Sequence, residues 1–141
     1  MLATLPAATA VPGDPAAALV VLFALLIGHA IADFPLQGEF LARAKNRHAD
    51  LSDVFGKIPV PKSLWFHALT AHSLVHAGAV WLITGSVTLG AIELVIHWCI
   101  DFAKCENHTS FNTDQILHVV TKLAFVALLY WGPAWVTWTP A

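Results

Sequence analysis

The stretch Glu93-Leu-Val-Ile-His97-Trp-Cys-Ile-Asp101 sets three ionisable side chains four residues apart inside an otherwise apolar run from Ser86 to Ala103. On a helix that spacing makes one stripe along one face. Carboxylates and imidazoles in an apolar segment cost free energy unless they are paired, and at membrane depth they are retained for a site or a pathway. The run therefore demands partners from elsewhere in the chain. The same spacing recurs in His29/Asp33, His72/His76 and Asp114/His118. A chain with these pairs has to fold so that they meet.

The apolar background decides the environment. The 141 residues are 57% hydrophobic and 11% charged, and the mean hydropathy is +0.69. A single domain this apolar reads as an integral membrane protein. Cys99 and Cys105 share one predicted helix at a spacing that disfavours a disulfide. Residues 1–14 contain no Lys or Arg and read as a disordered outer tail without the basic start of a signal peptide.

The pattern predicts an all-α fold: an integral membrane four-helix bundle with a short cytoplasmic interfacial helix, forming one domain over residues 15–138. The first helix covers about Pro15–Phe34, with Asp14 as cap, Pro15 in the first turn and Pro35 ending it. The second covers Leu64–Thr84 and the third Ser86–Ala103, parted by Gly85 into an antiparallel hairpin. The fourth opens at Asn112 or Thr113, where Asn112-x-x-Gln115 resembles a capping box, and runs to about Trp138. Trp131, Trp135 and Trp138 would form an interfacial belt at its end. Between the first two spans, Gln37–Ser63 holds Arg43, Lys45, Arg47, Lys57 and Lys62. Phe40, Leu41 and Ala44 at helical spacing predict a short helix on the membrane surface there.

Alternating spans put all four pairs in the same half of the bilayer, most within ~5–15 Å of one boundary at 1.5 Å rise per residue. The basic residues collect at that boundary, which the positive-inside rule makes cytoplasmic, with both termini outside.

Neutral imidazole and carboxylate are ligands for Zn²⁺ and similar ions, and an i, i+4 pair grips a metal from one helix face. His29, Asp33, His72, His76, His97, Asp101, Asp114 and His118 are the candidate ligands, for one or two divalent ions, Zn²⁺ first among them. Some of the Asp residues would instead orient a ligating His. Taken singly, His29 is an interhelical hydrogen-bond donor, Asp33 an interfacial acid and Asp114 a first-turn acid that suits the helix dipole. His76, approaching mid-membrane, has no such explanation. Glu93, Lys104 and Lys122 are the candidate catalytic residues. Glu93 is the deepest acid, suited to a proton relay or to a protonated acid hydrogen-bonded to a neighbour. Lys104 and Lys122 lie on the same stripes and would neutralise Asp33 or Asp101, or bind a phosphate.

Gly28-His29-x-x-Ala32-Asp33-Phe34-x-Leu36-Gln37, His72-x3-His76, His97-Trp98-x-Ile100-Asp101-x-x-Lys104 and Phe111-x-x-Asp114-Gln115-x-x-His118 occur in that order. The series resembles an uncharacterised bacterial and phage family of small integral membrane proteins, a domain of unknown function. That resemblance implies a multi-pass protein of the bacterial inner (plasma) membrane and no particular reaction. Ala71-His72-Ser73, with the His/Asp pairs, is more distantly similar to small inner-membrane metal-dependent hydrolases.

The resulting expectation is a membrane-embedded metal-dependent hydrolase acting on a lipid or head-group ester at the cytoplasmic face. Its partner is the lipid bilayer, with no nucleic acid. The alternatives are a divalent cation or proton carrier, and a non-catalytic accessory membrane protein. Haem held by paired His is disfavoured by the Asp beside each His. The charge asymmetry predicts that cysteines introduced at the termini of intact cells are labelled by an impermeant reagent and that those in Gln37–Ser63 or Lys104–Phe111 are not. Labelling of the loops alone would reverse the orientation.

Overall fold

Asp14 starts the first helix: its Oδ1 accepts from the Ala16 N–H at 2.9 Å and the Ala17 N–H at 3.1 Å. Pro15 fits the first position, whose N–H has no intrahelical acceptor. The computed structural model describes residues 11–132 and Val136. Its elements are α1 (Pro15–Asp33), α2 (Gly38–Ala44), α3 (Ser52–Phe55), α4 (Leu64–Thr84), α5 (Val87–Cys105) and α6 (Phe111–Trp131). The fold is all-α, and no strand occurs among the described residues.

Gly85 adopts φ 71 at the end of α4, and its N–H bonds back to the Trp81 carbonyl. Ser86 then caps α5, its Oγ accepting from the Leu89 N–H at 3.2 Å. One residue ends a helix and the next begins its antiparallel partner.

Three expectations need correction. α1, α4 and α6 are long and apolar enough to cross a membrane, which is three helices and not four. α5 has 19 residues, but Glu93, Asp101 and Lys104 within it spoil the apolar run. The last helix begins at Phe111 because Ser110, not Asn112, accepts from the Thr113 N–H, at 3.2 Å. It ends at Trp131, short of Trp138, because Gly132 turns left-handed at φ 63 and its N–H bonds to the Leu128 carbonyl. Trp135 and Trp138 lie outside the described residues. The basic segment forms two short helices, α2 and α3, rather than one. Asn46–Asp50 between them is held in turns, such as the Ala49 N–H on the Asn46 carbonyl at 3.1 Å.

Of the expected tail, residues 1–10 lie outside the described residues. Val11 is fully buried, and the Gly13 N–H donates to the Tyr130 carbonyl at 2.9 Å.

α4 packs along α5, and α1 lies against α4 and α6. At one end Val11, Val21, Leu25, Val80, Leu89, Phe125 and Leu129 form an apolar core. At the other, Ala44, Leu51 and Ala68 form a smaller one under the α2–α3 segment. The residues between are polar. Five histidines, four carboxylates and two lysines are buried, while Leu19, Phe23, Leu82, Val95, Ile116 and Trp131 face out. This inverts the pattern of a water-soluble bundle.

Gly90 fixes the α4–α5 approach. A Cβ there would stand 3.0 Å from the Ala77 carbonyl oxygen and 3.1 Å from Trp81 Cβ, neither of which is the free end of a side chain. Gly78 on α4 has nothing within 4 Å of such an atom. Gly90→Val is expected to lower the melting temperature in detergent by several degrees. Gly78→Ala should hold or raise it, since Ala favours a helix by about 1 kcal/mol over Gly.

Candidate functional site

The i, i+4 spacing works as expected because α1, α4, α5 and α6 each turn one striped face to a common axis. α1 brings His29 and Asp33, α4 brings His72 and His76, α5 brings Glu93, His97 and Asp101, and α6 brings Asp114, His118 and Lys122, all buried. The rings touch. His76 stacks on His97 with centroids 3.7 Å apart, His97 on His118 at 4.1 Å, and His72 stands edge-on to His76 at 4.7 Å. His29 flanks His118 at 5.2 Å.

The carboxylates thread between the rings. Asp33 Oδ1 lies 3.0 Å from His76 Nε2 and 3.3 Å from His72 Nε2. Its Oδ2 accepts from the Gln115 amide at 2.9 Å and stands 3.6 Å from His29 Nε2. Asp101 Oδ2 accepts from Lys45 Nζ at 2.5 Å and lies 3.3 Å from His72 Nε2. Its Oδ1 accepts from Lys104 Nζ at 3.0 Å and stands 3.6 Å from His118 Nε2. Lys104 also donates to Asp114 at 2.7 Å. Deeper in the bundle Glu93 Oε1 accepts from Lys122 Nζ at 2.5 Å and lies 3.3 Å from His97 Nδ1. Lys122 is thus the neighbour of Glu93, and Lys104 is the neighbour of Asp101 and Asp114.

Two groups of side chains can each offer ligand atoms within 4.8 Å of one another: Asp33 with His72, His76 and His97, and His97 with Asp101 and His118. Nε2 of His72, His97 and His118 is buried without a hydrogen-bond partner. His72 Nε2 is close to two carboxylate oxygens but aligned with neither. Buried polar atoms without a partner are costly, and imidazole nitrogens beside carboxylate oxygens are the donor set that divalent cations take.

Other candidates fall elsewhere. His67 and His108 join neither ligand group. His48 lies 3.2 Å from Glu106 Oε1 in the exposed network at the helix ends. Cys105 is buried and Cys99 exposed, both as free thiols. Ser73 donates to the Leu69 carbonyl at 2.9 Å and so bonds its own helix rather than a ligand.

Three contributors are not among the site residues expected from sequence: Lys45, Gln37 and Gln115. Lys45 Nζ, reaching Asp101, also donates to Gln37 Oε1 at 2.6 Å. Lys45 had been grouped with the surface charges. The usable signal was its place four residues after Leu41 and one after Ala44, on the apolar face of α2. Gln115 was read as half of a capping box, but with Ser110 as the cap its amide is free to turn toward Asp33.

The segment carrying Lys45 is fastened by exposed ion pairs. Arg43 chelates Asp53 at 2.7 and 2.6 Å, and Arg47 reaches Glu106 at 2.6 Å. These guanidinium bonds hold the Asp53 and Glu106 carboxyls below their ordinary range. Arg47 also lies over the rings of Trp65 and Phe102, 5.8 and 5.6 Å from their centroids.

Residues 21–141 match a family described as a protein of unknown function, DUF3307. The chain belongs to this family. All the clustered residues lie within the part of the chain that DUF3307 covers. No curated protein and no solved structure matches the chain.

The buried Glu93–Lys122 pair gives a stability test. Lys122→Met strands a carboxylate in the bundle and should cost about 3–5 kcal/mol, read by unfolding in detergent. Glu93→Gln combined with Lys122→Met should recover more than half of that loss. A double variant no better than Lys122→Met would show that the pair is not the unit that matters.

Proposed function

We propose that this DUF3307 chain is an integral membrane protein holding a divalent metal, Zn²⁺ first, in the service of a hydrolase that cleaves a lipid or head-group ester at the cytoplasmic face. The observation that carries the metal is the group Asp33, His72, His76 and His97, with its unpartnered imidazole nitrogens. His nitrogen and carboxylate oxygen are the donors Zn²⁺ takes. The membrane reading rests on the polar interior and apolar exterior. In it α5 is the fourth span, its charges covered by α1, α4 and α6, and both termini lie outside.

A site that binds through three of the four ligands keeps a position for water. When bound, the ion supplies a Lewis acid that activates water and polarises an ester oxygen. Asp101, 3.6 Å from Nε2 of both His97 and His118, would orient those imidazoles. Lys45 and Lys104 stand at the end nearest the basic loops and would draw an anionic ester toward the ion. Lys45, bonded to Gln37 at 2.6 Å, also stands at this end.

A carrier for a divalent cation or a proton is the second reading, and one observation favours it. Glu93 and Lys122 extend the charged column beyond the histidines, ~12 Å along α5 from Asp101 at 1.5 Å per residue. A hydrolase has no evident need of charge that deep.

The deciding experiment incubates the purified protein in mixed lipid with each metal and assays released head groups and acyl chains, alongside ion flux into sealed vesicles. Hydrolysis predicts product that chelation abolishes and Zn²⁺ or Mn²⁺ restores. Asp101→Asn should fold and lose ~10–100-fold in turnover, the usual scale for a partner that orients a ligand. His97→Ala should lose metal as well as activity. Metal-dependent flux with no lipid product decides for the carrier.

A further inference from the structure

Four carboxylates are buried in the bundle: Asp33, Glu93, Asp101 and Asp114. Three of them have ammonium partners. Asp101 accepts from Lys45 at 2.5 Å and Lys104 at 3.0 Å, Asp114 from Lys104 at 2.7 Å, and Glu93 from Lys122 at 2.5 Å. Among the described residues, Asp33 has no Lys or Arg within ion-pair distance. Its oxygens face His72, His76, His29 and the Gln115 amide. A buried carboxylate needs a cation or a full set of donors, and neutral imidazoles offer either one proton or a lone pair at Nε2. Asp33 is thus the buried carboxylate whose neighbours are exchangeable neutral groups rather than ammonium groups of the chain.

We propose that the centre is mononuclear: one divalent ion binds within the group Asp33, His72, His76 and His97, and Lys45 and Lys104 occupy, at Asp101, the place of a second ion. This rests on the metal-centre reading above and settles the ion count that the ligands alone leave open.

Two further observations support it. The two ligand groups share His97. Its Nδ1 is turned to Glu93 Oε1 at 3.3 Å, so Nε2, 3.6 Å from Asp101 Oδ2, is the nitrogen facing the carboxylates of the cluster. One lone pair serves one ion, and without His97 the second group falls to Asp101 and His118. Charge points the same way. With neutral histidines, four carboxylates and the three lysines Lys45, Lys104 and Lys122 sum to −1. One dication makes the interior +1, and a second would make it +3 in a medium that screens poorly.

The two lysines also differ in origin. Lys104 is on α5 itself, three residues beyond Asp101. Lys45 comes from the α2 side, 56 residues away, and is nearly as buried as the histidines. A tethered ammonium that deep, ending on a metal-type carboxylate, stands in for an ion.

The test is the metal content of the full chain in detergent after Zn²⁺ loading and desalting, measured by elemental analysis against protein concentration. The wild type should retain one Zn²⁺ per chain. Asp33→Asn should weaken retention at least tenfold, and Asp101→Asn should still hold one ion. Lys45→Met/Lys104→Met should gain a second ion, bound through Asp101, His118 and Asp114, which that variant frees from Lys104. Because that variant also strips a buried carboxylate of its partners, the contrast between Asp33→Asn and Asp101→Asn carries the decision, with helicity checked by circular dichroism. Two ions in the wild type, or equal losses in the two Asp variants, would overturn the single-ion assignment and leave the metal centre standing. A folded lysine variant that still holds one ion would overturn the role given to Lys45 and Lys104. A wild type that retains no metal would overturn both readings, and Asp33 would then be answered by a histidinium.

Discussion

A carboxylate inside an apolar bundle has to be answered, and in this chain the answers come from other helices. Asp33 on α1 is met by α4 and α6, Asp101 on α5 by the α2 side as well as by its own helix, and Glu93 on α5 by α6. No single helix is self-sufficient. Removing any one leaves a charge that the apolar surroundings cannot stabilise. Apolar packing sets how close the helices come, as at Gly90. It does not by itself choose which face turns inward, because the outward faces are apolar too. The buried charges make that choice, and the register of the bundle follows from them.

The interior then divides into two halves with different ways of balancing charge. Around Asp33 the neighbours are imidazoles and an amide, all able to reorganise around a guest. Around Asp101 and Asp114 the neighbours include, besides imidazoles, ammonium groups held covalently by the chain. The first half can change its content and the second cannot. On the proposed metal reading, Lys45 and Lys104 would keep a constant field on one side of the ion, the preorganised kind of environment that stabilises developing charge.

Much of this was legible from spacing. Four-residue repeats of His, Asp and Glu survive any small error in helix boundaries, since a shift of one residue at an end does not alter which side chains share a face. The positions of Gly85 and Ser86 likewise marked the α4–α5 hairpin. Three things were hidden. Lys45 was lost among basic neighbours because a charge near a membrane surface and a charge folded under a short helix look alike in one dimension. The start of α6 was misplaced because Ser110 and Asn112 are both good caps, and only the three-dimensional demand of Asp33 for Gln115 separates them. α5 looked like a fourth apolar span because its charges are spread along one face, whereas the same charges keep it from qualifying on composition alone.

The order of the chain adds a consequence for biosynthesis. Lys122 follows Glu93 by 29 residues, so at ribosomal speeds α5 is complete for an interval on the order of seconds before its deepest acid has a counter-charge. Lys45, by contrast, is already made. In a bilayer, α5 during that interval either keeps Glu93 protonated or waits at the aqueous boundary beside α4. The hairpin is then committed only when α6 arrives, so assembly of the helices, and not insertion of each in turn, is the moment at which this interior is formed.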